Sequence, residues 1–508
     1  MDRRRFLTLS AITLTVAGCG GGSDSSPAPV ITTPPVNSTI SDALWQQLSG
    51  DLNGNLILPN AGNIYENARV VFNTRFDHIY PQAIVHCANE ADIKTALSFV
   101  QEHKLHVTSR CGSHGYAGYS TTTGLVIDVT PMSEITIDDG TVTIGSGARL
   151  VDVYDQLSEQ GVAIPLGSCL SVGISGLTQG GGIGVVDRAY GLTCDSLLSA
   201  KVILADGTEV ICSEAVEPDL FWAIRGGGGG NFGVVSSFTF KTHPTKDITV
   251  FSASYALDDF ADVMTHWQTI SESWPNEMWG QVIPDWTNLA NPTILIRAFC
   301  VNSVEQAQPY WDDFIDNINA TPFYNKSATN SYRNTMLGNC ENTVPACHIS
   351  NQFPEGTMRR SAFAASSDYF DDVIPLSGLE ELSDYIQSSI NESNRGMIII
   401  NTMGGVIKDF APNETAFVHR NAIISAEYYT YLSTNDATAI DNAQTWLNSF
   451  RNIMKPWSSG GAYVNYIDPL ITNWQEAYYG ENYARLQEIK KHYDPNKVFS
   501  MPQGIEPA

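Results

Sequence analysis

The chain has 508 residues, 43% of them hydrophobic and 10% aromatic, which is too apolar for global disorder. At about 100–200 residues per domain, it has room for two to four domains. Twenty-eight basic residues against 54 acidic ones leave a net charge of −26, a field that repels phosphate backbones and argues against a nucleic-acid partner.

The chain opens with Arg3-Arg4-Arg5-Phe6-Leu7, and the apolar run from Phe6 to Ala17 is shorter than the ~20 residues that span a bilayer. The paired arginines resemble a twin-arginine export signal, and Val16-Ala17-Gly18-Cys19 resembles a bacterial lipobox whose cysteine is lipidated. An ordinary secretory peptide is the alternative. Residues 1–19 are therefore expected to be an export and lipoprotein signal, and residues 20–45 a flexible linker rich in glycine, serine and proline. The expected location is the bacterial periplasm or a lipoprotein anchored to a membrane, touching the bilayer only through its N-terminal lipid.

Ala83–His86 then has the pattern of a strand, and Glu90–His103 that of an amphipathic helix with Ile93, Ala96, Leu97 and Val100 on one face. Short strands are expected over His106–Ser109, Leu125–Asp128 and Thr141–Ile144. The helix Leu150–Gln160 turns Val151, Tyr154 and Leu157 inward. Leu198–Leu204 and Thr208–Cys212 flank the turn Ala205-Asp206-Gly207, a hairpin signal, and Val234–Lys241 is the last strand of this region. The pattern predicts an α+β architecture of mixed small sheets with helices. It lacks the regular βαβ alternation and the glycine spacing of a nicotinamide-binding fold.

From 246 to 470 glycine thins out and aromatics cluster, as in Trp267, Trp274, Trp279 and Trp286. This predicts a second domain, a larger sheet covered by helices, and 471–508 is expected to return to the first domain. Cys340 and Cys347 could close a short disulfide loop in an oxidising compartment. Cys87, Cys111, Cys194, Cys212 and Cys300 are expected to be buried thiols. No CxxC pair occurs, so a zinc or iron–sulfur site has little support and no metal is expected.

Three glycine-rich motifs carry the chemistry. They are Arg110-x-Gly112-x-His114, Cys169-x-x-Val172-Gly173-x-x-Gly176-x-x-x-Gly180-Gly181-Gly182-x-Gly184, and Arg225-Gly226-Gly227-Gly228-x-x-Asn231-Phe232-Gly233. Glycine lets backbone approach a ligand, and successive N–H groups make an anion-binding concavity suited to a pyrophosphate. Alone, each run would as readily be a flexible surface turn. Their order and spacing, with the later Tyr463-Val464-Asn465-Tyr466-Ile467-Asp468, resemble the berberine bridge enzyme-like branch of the vanillyl-alcohol oxidase family. The resemblance is strong over 65–245, good over 460–508 and only an outline between.

That resemblance implies a two-part FAD-binding domain (46–245 and 471–508) and an α/β substrate-binding domain with an antiparallel sheet (246–470). It implies an FAD tethered twice, by a ring nitrogen of His114 to the 8α-methyl and by the sulfur of Cys169 to ring carbon 6. Arg110, Cys111, Gly112, Ser113 and Gly115 would cradle the cofactor from the first loop. Gly167, Ser168, Val172, Gly173 and Gly176 would do so from the second. Gly180, Gly181, Gly182 and Gly184 would follow, then Gly233 and Val235, with Asn465 from the tail. The family usually has Gly or Ser where Cys111 stands and Gly where Ser113 stands; both residues here are small enough for the loop to fit.

The implied activity is oxidation of a hydroxyl, on a sugar or another secondary alcohol or hemiacetal, by hydride transfer to the flavin with O2 as final acceptor. Oxidation or oxidative cyclisation of a phenolic or polyketide compound is the alternative. A lipid-anchored binding protein without turnover is the alternative of another class. A phenol of unperturbed pKa near 10 serves as base only if its phenolate is stabilised. Tyr466 is favoured as base and Tyr463 as positioning residue, with the choice between them open. Were the motif a strand, the two could face the cofactor together only if it bent between them. Val172 would stand at the gate to the oxygen pocket and favours an oxidase. The four tryptophans would either stack on sugar faces or fill the core.

Overall fold

The computed structural model describes residues 40–301 and 303–508. The export signal, the lipobox and most of the linker lie outside the described residues. The helix Asp42–Asp51 begins inside the stretch assigned to the linker. Ser41 caps it by accepting the Leu44 N–H, and Trp45 and Leu48 are buried, so the folded domain starts several residues earlier than composition suggests. Among the described residues, no helix is long and apolar enough to cross a membrane.

The first domain holds two main sheets, beside a two-stranded ribbon of Val162–Ala163 and His243–Pro244. The smaller has the order Asn55–Ile57, Ala83–His86, Leu125–Asp128, Val107–Arg110, its last three strands parallel. Against it packs the helix Glu90–Glu102, with Ile93, Ala96, Leu97 and Val100 buried as their 3.6-residue spacing requires. Asn89 caps that helix by accepting the N–H groups of Ala91 and Asp92. The second sheet is antiparallel, in the order Ile135–Asp138, Thr141–Gly145, Val234–Lys241, Leu197–Ile203, Glu209–Ser213. Its last hairpin turns at Gly207, whose φ of 82° lies in the left-handed region.

The second domain is a seven-stranded antiparallel sheet. Its order is Tyr324–Asn330, Ile248–Ala256, Thr293–Cys300, Met278–Asp285, Met397–Thr402, Ile424–Tyr431, Phe363–Phe370. One face packs on the helices Phe260–Glu272, Leu376–Asn391 and Ala437–Met454, burying Val282, Ile296, Ile398, Ile400 and Tyr428. The opposite face, through Trp279, Gln281, Ile399, Asn401 and Glu427, roofs a cavity over the first domain. Trp267, Trp274 and Trp286 belong to the helix-side core. Of the four tryptophans only Trp279 borders the cavity, so for the other three the core reading holds.

The boundary between the domains is less clean than glycine density suggested. The excursion 331–362 leaves the large sheet and grips the first domain. Arg333 Nε donates to Asp155 at 2.7 Å, and His348 Nε2 meets the Asp152 carboxylate at 3.0 Å. Gln352 and Arg360 donate to the carbonyls of Val70 and Val71, each at 2.7 Å. Cys340 and Cys347 are joined by a disulfide within this excursion, and the five cysteines expected as buried thiols are all buried.

The C-terminal tail closes the first domain through one buried cation. Lys490 Nζ donates to Asp494 Oδ2, to the Asn231 carbonyl and to the Phe499 carbonyl at 2.6, 2.6 and 2.7 Å. Asp494 also accepts the N–H groups of Val498 and Phe499, each at 2.9 Å. Removing one partner of a buried pair strands the other charge, which costs about 3–5 kcal/mol. Asp494→Ala should lower the unfolding free energy in urea by that amount, whereas a loss below about 1 kcal/mol would show that the tail is held otherwise.

Candidate active site

The cavity between the glycine loops and the large sheet encloses about 2000 Å3 of non-atom space, its open mouth included.

Its first wall is the loop that follows the strand Val107–Arg110. Arg110 borders the cavity, but its guanidinium is engaged in the sheet. Its guanidinium donates twice to Asp128 Oδ2, at 2.9 and 2.6 Å, and once to the Ala68 carbonyl at 2.6 Å. Asp128 is its direct neighbour on the adjacent parallel strand, so the arginine braces the sheet beneath the loop. Gly112 and Gly173 bring the first and second loops into backbone contact. A Cβ on Gly112 would lie 2.1 Å from Gly173 N, and one on Gly173 would lie 2.1 Å from Cys111 Sγ. Ser113 adopts φ 61°, a left-handed conformation that costs a non-glycine residue about 1 kcal/mol. Its carbonyl accepts the Phe72 N–H at 2.9 Å.

His114 stands at the cavity edge. Its ring stacks on Phe72, with centroids 4.1 Å apart and planes 19° from parallel. Nε2 lies 2.9 Å from Ser171 Oγ, which in turn lies 3.8 Å from Cys169 Sγ. Burial, with the nearby Arg149 guanidinium second, pushes the His114 pKa down to about 3. The imidazole is therefore neutral and keeps a lone pair. Cys111, Gly115, Gly167, Ser168, Cys169, Val172, Gly173, Gly176, Gly184, Gly233, Val235 and Asn465 all border the cavity, as their motifs implied.

Gly180, Gly181 and Gly182 do not border it. A Cβ on them would strike Asn465, Phe417 and Thr193 respectively, the first two contacts at 2.2 and 2.9 Å and the third at 2.2 Å. Their glycines serve close packing behind the wall, and Gly182 N–H donates to Tyr463 Oη at 2.9 Å. The open backbone lies elsewhere. A Cβ at Gly176 would meet nothing within 4 Å and one at Gly229 nothing closer than 3.7 Å, and both residues border the cavity along with Gly228 and Gly230. Side chains there would intrude on the site, and their absence leaves a backbone cradle that fits a pyrophosphate-bearing cofactor.

Tyr463 and Tyr466 do not lie on a strand. Val464–Tyr466 is a single 3-10 turn, closed by Tyr466 N–H donating to the Tyr463 carbonyl at 2.9 Å. Residues three apart on such a turn share a face, so both rings meet the cavity, their centroids 4.9 Å apart and their planes at 83°. Tyr463 Oη accepts from Gly182 N–H and Asn465 Nδ2, each at 2.9 Å. Burial pushes its pKa up to about 12 against those two bonds. It is held in place rather than poised to titrate.

Sequence reasoning missed the one carboxylate that, among the described residues, borders the cavity. Glu427, on the strand Ile424–Tyr431, is 4% exposed and accepts from Tyr116 Oη at 2.8 Å, with Tyr466 as a second hydrogen-bond partner. Tyr116 and Tyr466 stack at 5.3 Å and 23°. Burial raises the Glu427 pKa to about 7 despite the two phenol bonds, which pull it down. Both phenols are pushed well above 10, by burial first and the Glu427 charge second. Gln281 and Asn401 are likewise unanticipated. They sit side by side above the site, Gln281 Nε2 donating to Asn401 Oδ1 at 3.0 Å.

Comparison with known proteins agrees with this site. A family described as FAD binding domain matches residues 81–213, and one described as berberine and berberine-like matches residues 462–506. The uncharacterised FAD-linked oxidoreductase YgaK of Bacillus subtilis (strain 168) is 33% identical over 472 residues, spanning 87% of this chain and 95% of its own. The monolignol oxidoreductase AtBBE-like 13 of Arabidopsis thaliana is 27% identical over 459 residues, 84% of each chain. Among solved structures, Physcomitrella patens BBE-like 1 superposes with a TM-score of 0.83 at 25% identity, covering 92% of this chain and 99% of that one. This chain therefore belongs to the berberine bridge enzyme-like family of FAD-linked oxidoreductases.

Proposed function

We propose that this oxidoreductase removes two hydrogens from an alcohol carbon and its hydroxyl, with Glu427 receiving the hydroxyl proton. The observation that carries the reading is a buried carboxyl with a pKa near 7, facing the cavity between two tyrosines. A base works best when its pKa lies near the working pH, and the Tyr466 phenol, raised well above 10, is poorly matched. Tyr466 and Tyr116 instead hold the carboxylate by hydrogen bonding and turn it toward the substrate hydroxyl. Tyr463, fixed by Gly182 and Asn465, sets the position of Tyr466 through their edge-to-face contact. FAD, when bound, would supply a hydride acceptor that O2 could reoxidise. Val172, bordering the cavity three residues after Cys169, is the family feature that supports O2 as the reoxidant.

The cofactor is proposed to be held by two covalent bonds, from His114 and Cys169. The neutral imidazole supports the first, and the placement of Ser171 between His114 Nε2 and Cys169 Sγ puts both attachment residues on one side of the cavity. A sugar or other polyol is the first substrate reading, because Gln281 and Asn401 offer amides to hydroxyl groups. A phenolic alcohol is the second, favoured by the aromatic side chains Phe72, Tyr116 and Phe363 at the same end of the cavity. We also propose export as a lipoprotein, on the N-terminal motifs alone; Cys19→Ala should shift the protein from the membrane to the soluble fraction of cells.

Two further outcomes test the proposal. Acid-precipitated wild-type protein should stay yellow, and the His114→Ala, Cys169→Ala double variant should release its flavin to the supernatant; a colourless wild-type pellet rules out covalent attachment. Glu427→Gln should lower kcat/KM by about 10²–10⁴ and abolish the rise of wild-type activity through about pH 7. The same variant bears on stability. A carboxyl raised from 4.5 to about 7 binds more protons folded than unfolded between those values, so wild-type stability falls as pH rises across that window. The loss amounts to about 3 kcal/mol at full ionisation. Glu427→Gln should therefore be near neutral at pH 4 and stabilising at pH 8 in denaturant titrations.

A further inference from the structure

A second, smaller cleft lies where the first domain meets the end of the large sheet. It encloses about 500 Å3 of non-atom space, its mouth included, and is bordered by Arg188, Gln268, Glu272, Trp274, Gly404 and Lys408 among others. None of the described residues that border it also borders the active-site cavity. Arg188 enters it from the short helix Asp187–Tyr190 and is 4% exposed. Its Nη1 donates to the Met403 carbonyl at 2.6 Å and its Nη2 to the Trp274 carbonyl at 3.0 Å. The guanidinium thus pins two segments of the second domain onto the first.

Carbonyls accept hydrogen bonds but carry no net charge, and a buried cation needs a counter-charge. Among the described residues Arg188 makes no ion pair. The carboxyl beside it in sequence, Asp187, is buried and raised to about 8, so it is mostly protonated at neutral pH. Glu272, exposed on the rim, acts on Arg188 only through the field of its charge. A second cation faces the same spot. A Cβ built on Gly404 would lie 3.3 Å from Arg188 Nη1 and 3.6 Å from Lys408 Cε, so the two side chains flank one glycine. Asp371 is within electrostatic reach of Lys408 but does not border the cleft. Like charges brought together repel unless something negative lies between them. Two bordering residues also hold buried N–H groups with no acceptor, Arg188 at Nε and Trp274 at Nε1. Buried donors left unmade are costly and call for a partner. Water would take a donor bond, but it brings no charge to set between the cations.

We infer that this cleft is a binding site for a small oxyanion, a carboxylate or a phosphate, held between Arg188 and Lys408. The inference is independent of the substrate and of the role given to Glu427. An anion there joins a cation of the first domain to a cation of the second through charge-assisted hydrogen bonds. It also sits at the ends of two strands that cover the active site. Met397–Thr402, which carries Asn401, runs directly into Met403, and Met278–Asp285, which carries Gln281, begins shortly after Trp274. Occupancy braces those strands from outside the active-site cavity, which is the position of an effector and not of a substrate.

The test uses the flavin-loaded protein, with inorganic phosphate and acetate as probes and sodium chloride of equal ionic strength as the control. Binding is read by titration calorimetry and stability by the melting temperature. At least one probe should bind wild type at one site per chain and raise the melting temperature by about 2 °C or more at saturation. Binding of phosphate alone identifies a phosphoryl ligand and binding of acetate alone a carboxylate; either upholds the site. Lys408→Glu should weaken binding by about tenfold or more. Glu272→Gln removes the one acid among the bordering residues and should tighten binding about threefold. Both side chains are exposed, so neither change disturbs the core. Arg188→Gln should abolish binding, but it also loosens the domain junction, and the two rim variants decide the matter without it. Failure of both probes to bind below about 10 mM, or equal affinity in wild type, Lys408→Glu and Glu272→Gln, overturns the inference and leaves a junction filled by water. No arm reads turnover, so a failed oxidation by Glu427 and a failed anion site are told apart.

Discussion

The site depends on one contact in which two backbones meet with no side chain between them. Gly112 and Gly173 approach so closely that any Cβ on either would overlap the other loop at about 2.1 Å. That contact draws the loop bearing His114 against the loop bearing Cys169, and it explains the glycines better than a demand for flexibility does. The helix Leu150–Glu159 joins the same junction from behind. Arg149, just before it, donates to the Cys111 carbonyl at 2.9 Å and keeps His114 neutral by its charge, second to burial. Residues 38 apart in sequence thereby set the protonation of the histidine and the shape of the loop it sits on.

Opposed to this tightly packed floor is a roof whose two faces have different chemistries. On the helix side the strands bury aliphatic and aromatic side chains, and on the cavity side the same strands present Gln281, Asn401 and Glu427. Burying such groups costs free energy unless they find partners. Glu427 finds two phenols, and Gln281 finds Asn401. The chain thus keeps its titrating group in a place where burial raises the pKa of a carboxyl toward neutrality, at some expense in stability above that pH.

The first domain was largely legible because its strands alternate and its helices show a clear 3.6-residue period. Ala83–His86, Leu125–Asp128 and Val234–Lys241 form where the pattern placed them. The roof was legible as a larger sheet covered by helices, but its individual strands were not, since strands buried on both faces, such as Met397–Thr402, lose the alternation that reveals a strand. Glu427 was hidden for the same reason, although a lone acid within Ile-Ser-Ala-Glu-Tyr-Tyr-Thr-Tyr is a signal in retrospect. Arg110 and Gly180–Gly182 were assigned to the cofactor from motif membership. Motif spacing fixes which loops come together, but not which side of a loop meets the cavity: Gly180–Gly182 pack behind the wall, and Arg110 borders the cavity while its guanidinium braces the sheet. The Tyr463–Tyr466 motif needed a turn, and its i, i+3 spacing on a 3-10 turn resolves the facing problem that a strand would pose.

Floor and roof are not independent bodies that happen to share a cavity. Arg360 donates to the Val71 carbonyl, and Asn73 exchanges hydrogen bonds with the backbone of Phe363, its Nδ2 donating at 3.0 Å and its Oδ1 accepting at 3.4 Å. Between those anchors lies Phe72, whose N–H is held by the Ser113 carbonyl and whose ring stacks on His114. Phe363 itself opens the edge strand of the roof and meets Tyr116 edge-on at 4.9 Å, and Tyr116 holds Glu427. A short chain of packed rings, anchored by backbone hydrogen bonds at both ends, therefore connects the proposed flavin-attachment histidine to the proposed base. Because packed interiors resist small displacements, the distance between cofactor and proton acceptor is fixed by the interface between the domains and not by either domain alone.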